Sequence, residues 1–244
     1  MPAAELSLVP DLAHLDATAP VRAPAGRPLA QLATPGRLVE LCGAAQTTAA
    51  ALLLAEVQRE GETAVWIQVV GGDLYPPDLA AAGVDVEALI VVHTPTEASA
   101  NQAPPARAPK LGGSAHATGF AGQCRAAELL LRSGGFGLVI LDFGRGEPRG
   151  STAWQGRLLG LARQHEARVV ILRERSREPA PSSLGPLTSL RIASTIERSR
   201  RPDDPPGFRP RTASFTLRHE LLKNKSGGPL EPASSELRGP WGLA

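Results

Sequence analysis

The chain has 244 residues, 42% of them hydrophobic, with 25 glycines, 23 prolines and two cysteines. That content supplies one good-sized core with irregular segments around it. Two cysteines make no disulfide framework, so Cys42 and Cys124 are read as buried or partly buried thiols of a reduced, cytoplasmic protein. No segment approaches the roughly 20 apolar residues that span a bilayer, and residues 1–20 have no basic stretch leading into an apolar one. No membrane contact is expected. The formal net charge is +2, yet residues 1–100 hold 4 Lys/Arg against 12 Asp/Glu, net −8, and residues 101–244 hold 22 against 12, net +10. Such asymmetry marks either a surface for nucleic acid or an acidic partner on the C-terminal part, or an arginine-rich solvated face.

Residues 1–30, rich in Pro and Ala with a short helix predicted near residues 11–15, read as an arm before a core over residues 31–226. Residues 36–42 are the first predicted strand and residues 47–59 the first helix, stopped at Gly61. The continuous apolar run over residues 64–70 fits a strand covered on both faces, and residues 89–92 read as another buried strand, with a short helix over residues 77–82 between them. Residues 93–119, rich in Pro, Ala and Gly, are expected to form a surface excursion of low order. A helix over residues 121–132 is expected to turn Leu129, Leu130 and Leu131 inward or nearly so, and the clearest strand, residues 138–141, ends at Asp142. A helix over residues 154–164, a strand over 168–172, a loop over 176–187 and a strand over 189–197 follow. Residues 211–222 alternate as an edge strand does, and residues 227–244 lack periodicity and read as a flexible tail. Strands alternating with helices predict an α/β fold, a mostly parallel twisted sheet with helices on both faces and a site at the carboxyl ends of its strands. Gly43 and Asp142 both fall there.

The stretch between the first strand and the first helix has the layout of a phosphate loop. An apolar run over residues 38–42 is broken by Gly43, and Thr47 and Thr48 open an Ala/Leu-rich helix. A working loop needs Gly-x-x-x-x-Gly-Lys-Ser/Thr, because glycine-backed amides wrap the phosphates, the lysine reaches the outer ones and the hydroxyl holds magnesium. Here the loop is shorter, the second glycine is missing and Gln46 stands where the lysine belongs. Gly43, Gln46, Thr47, Thr48 and Asp142 are therefore read as a degenerate P-loop, the vestige of a nucleotide site that takes no cofactor and no metal.

Four segments, in order, carry a family resemblance: Gly-Arg-Leu-Val-Glu-Leu-Cys-Gly at 36–43, Gln-Arg-Glu-Gly-Glu-Thr-Ala at 58–64, residues 79–85 with Gly83, Val84 and Asp85, and Leu222, Lys223, Asn224 and Lys225 before Pro229. Over residues 30–229 the chain resembles the core of the bacterial recombinase RecA, and within that superfamily it looks like ImuA, the RecA-like accessory family of inducible mutagenesis cassettes. The resemblance implies a RecA-like core and also picks out losses. The family's water-activating acid after the second strand has no counterpart from Ile67 to Val70, Asp73 being a few residues too late. Arg173, Glu174 and Arg175 stand where a nucleotide-sensing glutamine is found, and the two loops that grip single-stranded DNA look shortened, over residues 144–152 and 176–187. Asp142 stands where a magnesium-coordinating aspartate would be, or is a structural residue closing its strand. Lys223, Asn224 and Lys225 match the family's Lys-x-Lys element, which completes the nucleotide site of the neighbouring protomer. They are a recombinase interface on that reading, and solvated residues at a strand end otherwise.

The function this resemblance implies is a non-catalytic pseudo-ATPase of SOS-inducible mutagenic translesion DNA synthesis. It would bind the RecA recombinase and cap or limit its filament. An ImuB-like Y-family polymerase homologue and an error-prone C-family DNA polymerase would be further partners, and the tail with Leu237 and Trp241 is a candidate partner peptide. Two other classes compete: a RecA-like DNA-repair ATPase using Thr47, Thr48 and Asp142, and a single-stranded DNA-binding module on the arginine-rich C-terminal half. The arginine clusters over residues 157–177 and 191–211 hold few aromatics for base stacking, which leaves weak phosphate contact. A distant kinship drawn between ImuA and the division inhibitor SulA adds inhibition of another kind of filament. His14, His93, His116, His165 and His219 scatter without metal-ligand spacing, and no Gly-x-Ser-x-Gly elbow is present.

Overall fold

The computed structural model describes residues 28–72, 74–96, 119–144, 152–174, 184–198, 214–227 and 233–238. In chain order the elements are α1 (Leu29–Leu32), β1 (Arg37–Cys42), α2 (Gln46–Arg59), β2 (Ala64–Val69), α3 (Pro76–Ala81) and β3 (Leu89–Thr94). They continue with α4 (Gly119–Ser133), β4 (Leu138–Asp142), α5 (Ala153–Gln164), β5 (Arg168–Arg173), a 3-10 turn (Gly185–Leu187), β6 (Leu190–Arg198), β7 (Ser214–Asn224) and β8 (Ala233–Arg238). All eight strands join one sheet in the order β3-β2-β4-β5-β1-β6-β7-β8. The first six in that order run parallel, and β7 and β8 extend the sheet antiparallel.

The path of the chain explains why both faces are covered. From β1 it travels toward one edge through α2 and α3, then returns through α4 and α5. Because crossovers between parallel strands are right-handed, reversing the direction of travel moves the helices to the opposite face. Strand side chains alternate between faces, so each strand feeds two cores. Val39, Leu41, Trp66, Ile140 and Leu172 pack with α2 in one, and Leu38, Ile67, Leu141 and Ile171 pack with α4 and α5 in the other. Cys42 and Cys124 are both free thiols buried in the structure, and burial pushes the Cys124 thiol up to about 12.

Several expectations change on folding. β3 is the sheet's edge strand rather than a buried one, with Ile90 and Val91 exposed. It also runs on through His93 and Thr94, residues assigned to the excursion. β7 is not an edge, because Ala233–Arg238, expected in a tail without periodicity, pairs along it as β8. That pairing is made by the backbone along an open strand edge and asks for no apolar alternation. Leu131 is buried while Leu129 is 54% exposed, since three consecutive helical residues at about 100° apart cannot share one face. The predicted helix near residues 11–15, the residues 97–118 of the excursion, Asp73 and Trp241 lie outside the described residues.

Three of the segments that carry the family resemblance have structural roles. Gln58, near the end of α2, donates from Nε2 to the Asp85 carbonyl and accepts the Asp85 amide at Oε1, both at 2.9 Å. This two-bond clamp joins α2 to the turn before β3. Glu40 is wholly buried on β1, its Oε1 3.6 Å from the Arg173 guanidinium on β5 and its Oε2 3.4 Å from Arg191 on β6. One carboxylate thus lies between the guanidinium groups of both flanking strands. Removing it leaves two buried cations without that counter-charge, a loss of about 3–5 kcal/mol in comparable cases. Glu40→Gln is expected to lower the urea-unfolding free energy by about that amount; a change below about 1 kcal/mol would remove this ion pair from the account of the fold.

Candidate functional site

The site is built where β1, β2, β4 and β5 end together. Gly43 closes β1 with φ +91°, and a Cβ placed on it would lie 2.5 Å from the Ser194 carbonyl of β6. Both the left-handed backbone and the close approach require glycine here. The chain then turns tightly: the Gln46 amide donates to the Gly43 carbonyl at 3.3 Å, and the Ala45 amide donates to the Ser194 carbonyl at 3.0 Å. The loop is drawn onto β6, and its Ala45 amide, of the kind that wraps phosphate in a phosphate loop, faces a protein carbonyl. Helix α2 begins at Gln46, one residue before the predicted start.

Directly after Gly43, the chain enters the lining of a cleft of about 580 Å³ at Ala44; that lining includes Gln46, Thr47, Gln68, Phe120, Asp142 and Glu174. Of the residues singled out from sequence, Gln46, Thr47 and Asp142 therefore meet in one place. Thr48, half-buried on α2, does not line it. Asp142 accepts the Gly144 amide at Oδ1, 2.9 Å, which fixes the turn after β4. Gln123 on α4 donates from Nε2 to the carbonyls of Ile67 (3.4 Å) and Asp142, tying the ends of β2 and β4. Phe120, Phe143 and Trp154 meet edge to face, with centroids 5.0 to 6.0 Å apart, and support one wall. Sequence reading missed Phe120 and Gln123, which lie at the start of α4, more than fifty residues from the loop. Spacing along the chain carries no sign of them.

Lys223, Asn224 and Lys225 are elsewhere. Asn224 pairs with Leu190 at the amino end of β6, and the Lys225 amide donates to the Ser189 carbonyl at 2.9 Å. Since β6 runs parallel to β1, the three residues lie toward the end of the sheet opposite Gly43, about 10 to 17 Å away along the strands at ~3.3 Å per residue. Lys223 donates to the Gly185 carbonyl at 3.2 Å, and Lys225 to that of Pro186, both in the 3-10 turn. Asn224 donates to the Gly227 carbonyl at 3.0 Å. Burial, and next the Lys225 charge, holds the Lys223 ammonium below the usual lysine range. Among the described residues no group of three or more His, Cys, Asp or Glu is placed to hold a metal, and no helix is long and apolar enough to cross a membrane.

The sheet order, the helices on both faces and the loop at the carboxyl end of β1 define a RecA-like α/β core. Among solved structures, one described as the crystal structure of the RadB recombinase is similar to it, with a TM-score of 0.50 at 15% identity over 85% of this chain and 92% of that one. At such identity the likeness is one of fold. No protein-family model matches the chain, and no curated protein sequence matches it.

Beneath the loop, His219 of β7 is buried with Nδ1 2.9 Å from the Ser194 hydroxyl. Ser194 is the residue whose carbonyl receives Ala45. Burial pushes the His219 pKa down from 6.5 to about 4. The unfolded chain therefore takes up a proton before the folded one does, so this stabilisation is complete above about pH 6.5 and declines as pH falls toward 4. Between those limits the stability of the protein is expected to fall more steeply with decreasing pH than that of His219→Gln, by up to one proton in slope. Parallel curves in urea-unfolding measurements across that range would exclude a buried neutral histidine.

Proposed function

We propose that this protein is a non-enzymatic, RecA-like accessory factor of DNA repair: a pseudo-ATPase that docks on the end of a RecA recombinase filament and limits its growth. The observation that carries the reading is the state of the loop. Its Ala45 amide is paired with Ser194 of the same chain, Gln46 occupies the position of the phosphate-binding lysine, and the described lining of the cleft holds Asp142 and Glu174 but no Lys or Arg. A triphosphate placed there would find no lysine ammonium at Gln46 and the Ala45 amide already engaged. The position of Lys223 and Lys225 supports the second half of the reading. They lie about 10 to 17 Å along the strands from their own loop at ~3.3 Å per residue and donate to Gly185 and Pro186 instead; two ammonium groups there suit a nucleotide held by another subunit. Docking would exchange the Gly185 and Pro186 carbonyls for phosphate oxygens.

In the setting of the ImuA resemblance, the same protein would serve damage-induced mutagenic translesion synthesis in the cytoplasm. Its partners there would be an ImuB-like Y-family polymerase homologue and an error-prone C-family polymerase. The deciding experiment is recombinase filament growth and ATP hydrolysis on single-stranded DNA, with this protein added below stoichiometry. The wild type is expected to suppress both severalfold, Lys223→Ala/Lys225→Ala to lose the effect, and the protein alone to show no saturable magnesium-ATP binding. Tight magnesium-ATP binding that is lost in Thr47→Ala and Asp142→Asn would sink the pseudo-ATPase reading in favour of an ATPase, and equal suppression by the double variant would remove the lysines from the interface.

A further inference from the structure

At the amino ends of β1, β5 and β6 lies a hollow of about 560 Å³ whose lining includes Arg37, Leu159, Arg163, Glu166, Leu187 and Lys225. Four charged side chains meet there, three of them basic. Gly36 makes room for one: its φ is +74°, and a Cβ on it would lie 3.4 Å from Arg163 Cγ, so the aliphatic stem of Arg163 runs across the backbone where β1 begins. Arg163 and Lys225 are exposed, and Arg37 is half-buried. No carboxylate among the described residues pairs with Arg37 or Arg163, and Lys225 donates to the neutral Pro186 carbonyl. Other arginines of the chain are paired: Arg157 reaches Glu128 at 2.6 Å, Arg168 reaches Glu60 at 2.7 Å and Arg218 reaches Glu197 at 2.8 Å. The hollow therefore gathers positive charge that the described residues leave uncompensated, and an anion entering it relieves their mutual repulsion.

Size and lining decide which kind of anion. A volume of about 560 Å³ suits a ligand with a body of its own rather than a single ion, and Pro35, Leu159 and Leu187 give the hollow aliphatic walls. One ion pair to an exposed guanidinium is weak in water, so occupancy needs several carboxylates at once together with an apolar contact. Single-stranded nucleic acid fits less well, because the described lining holds no aromatic side chain on which a base would stack. We infer that this hollow docks an acidic peptide segment of a partner protein, two or more carboxylates meeting Arg37, Arg163 and Lys225 while a neighbouring aliphatic side chain rests on Leu159 and Leu187. Arginine suits the role because its planar fork takes a carboxylate through two parallel hydrogen bonds. Glu166 opposes such a ligand. It is the one non-glycine residue with positive φ among the described residues, at +52°, a conformation that favours glycine. Lys225 is shared with the recombinase contact proposed above, but Arg37 and Arg163 have no part in that reading, and the inference does not rest on it.

The test uses the full chain with an acetylated, amidated Glu-Glu-Leu-Glu-Glu peptide as probe and Gln-Gln-Leu-Gln-Gln, its uncharged counterpart, as control. Calorimetry at low salt is expected to show saturable binding of the acidic peptide and at least about tenfold weaker binding of the control. Arg163→Gln is expected to lower the affinity about three- to fivefold, and Arg37→Gln/Arg163→Gln about tenfold or more. Arg163 is exposed, so its single variant carries the test if the double variant fails to fold. Glu166→Gly removes the opposing acid, suits the backbone of the turn and is expected to tighten binding about two- to threefold. Amide resonances of Gly36, Leu187 and Ser226, all in the lining, are expected to shift with the acidic peptide. Absence of saturable binding, equal binding of the two peptides, unchanged affinity in Arg163→Gln, or shifts that leave those three amides untouched overturns the inference. So does tighter binding of oligothymidylate with the same dependence on Arg163, which assigns the hollow to nucleic acid, and so does displacement of the peptide by inorganic phosphate at equal concentration, which reduces it to a site for any anion. The recombinase reading and this one fail separately: filament suppression by Lys223→Ala/Lys225→Ala tests the first, and peptide binding by Arg163→Gln, which keeps both lysines, tests the second.

Discussion

The seating of Gly43 against the Ser194 carbonyl, where even a methyl group would stand 2.5 Å from oxygen, sets the shape of the carboxyl end of the sheet. It lets the chain leave β1 with positive φ, brings the Ala45 amide onto β6 and starts α2 at Gln46. The same residue, Ser194, holds His219 of β7 through its hydroxyl, so the loop, the last parallel strand and the first antiparallel strand act as one unit. Glu40 supports that unit from the other face, reaching Arg173 on β5 and Arg191 on β6 from the middle of β1. A loop held this way has few degrees of freedom left for a ligand.

The two ends of the sheet present different residues. Among the described residues, Gln46, Gln68 and Asp142 line the cleft at the carboxyl end, and Arg37, Arg163, Glu166 and Lys225 line a hollow at the amino end. A parallel sheet is polar by construction, because every βα turn emerges on one end and every αβ turn on the other. A substitution at one end can therefore leave the other end unchanged. This separation is what makes an end-docking subunit a coherent physical idea, and it is also why the proposed roles of Lys223 and of Asp142 can be examined independently.

The strands and helices around the two cores were legible because burial imposes period. Continuous apolar runs such as residues 64–67 and 169–172 are what a strand covered on both faces requires. Leu138–Asp142 announced its carboxyl end with an aspartate. The errors fall where period is weak or where strand order, not pattern, decides exposure. β8 has no apolar alternation and exists because β7 offers an unpaired edge. β3 has the apolar run of a central strand and yet lies at the edge, since strand order is decided by the crossovers rather than by any one strand's composition.

Composition and pattern alone determined that this chain makes a mostly parallel α/β sheet with helices on both faces, and that Gly43 and Asp142 stand at the ends of its strands. These follow from local periodicity, hydrophobic burial and the conformational freedom of glycine, which act over a few residues. Only the tertiary structure decided that Ala45 meets Ser194, that Gln58 clamps Asp85, that Phe120 and Gln123 close the cleft, and that Lys223 and Lys225 lie at the far end. Those contacts join residues 19 to 149 positions apart, and no local pattern records which distant carbonyl or carboxylate a side chain will find once the sheet has formed.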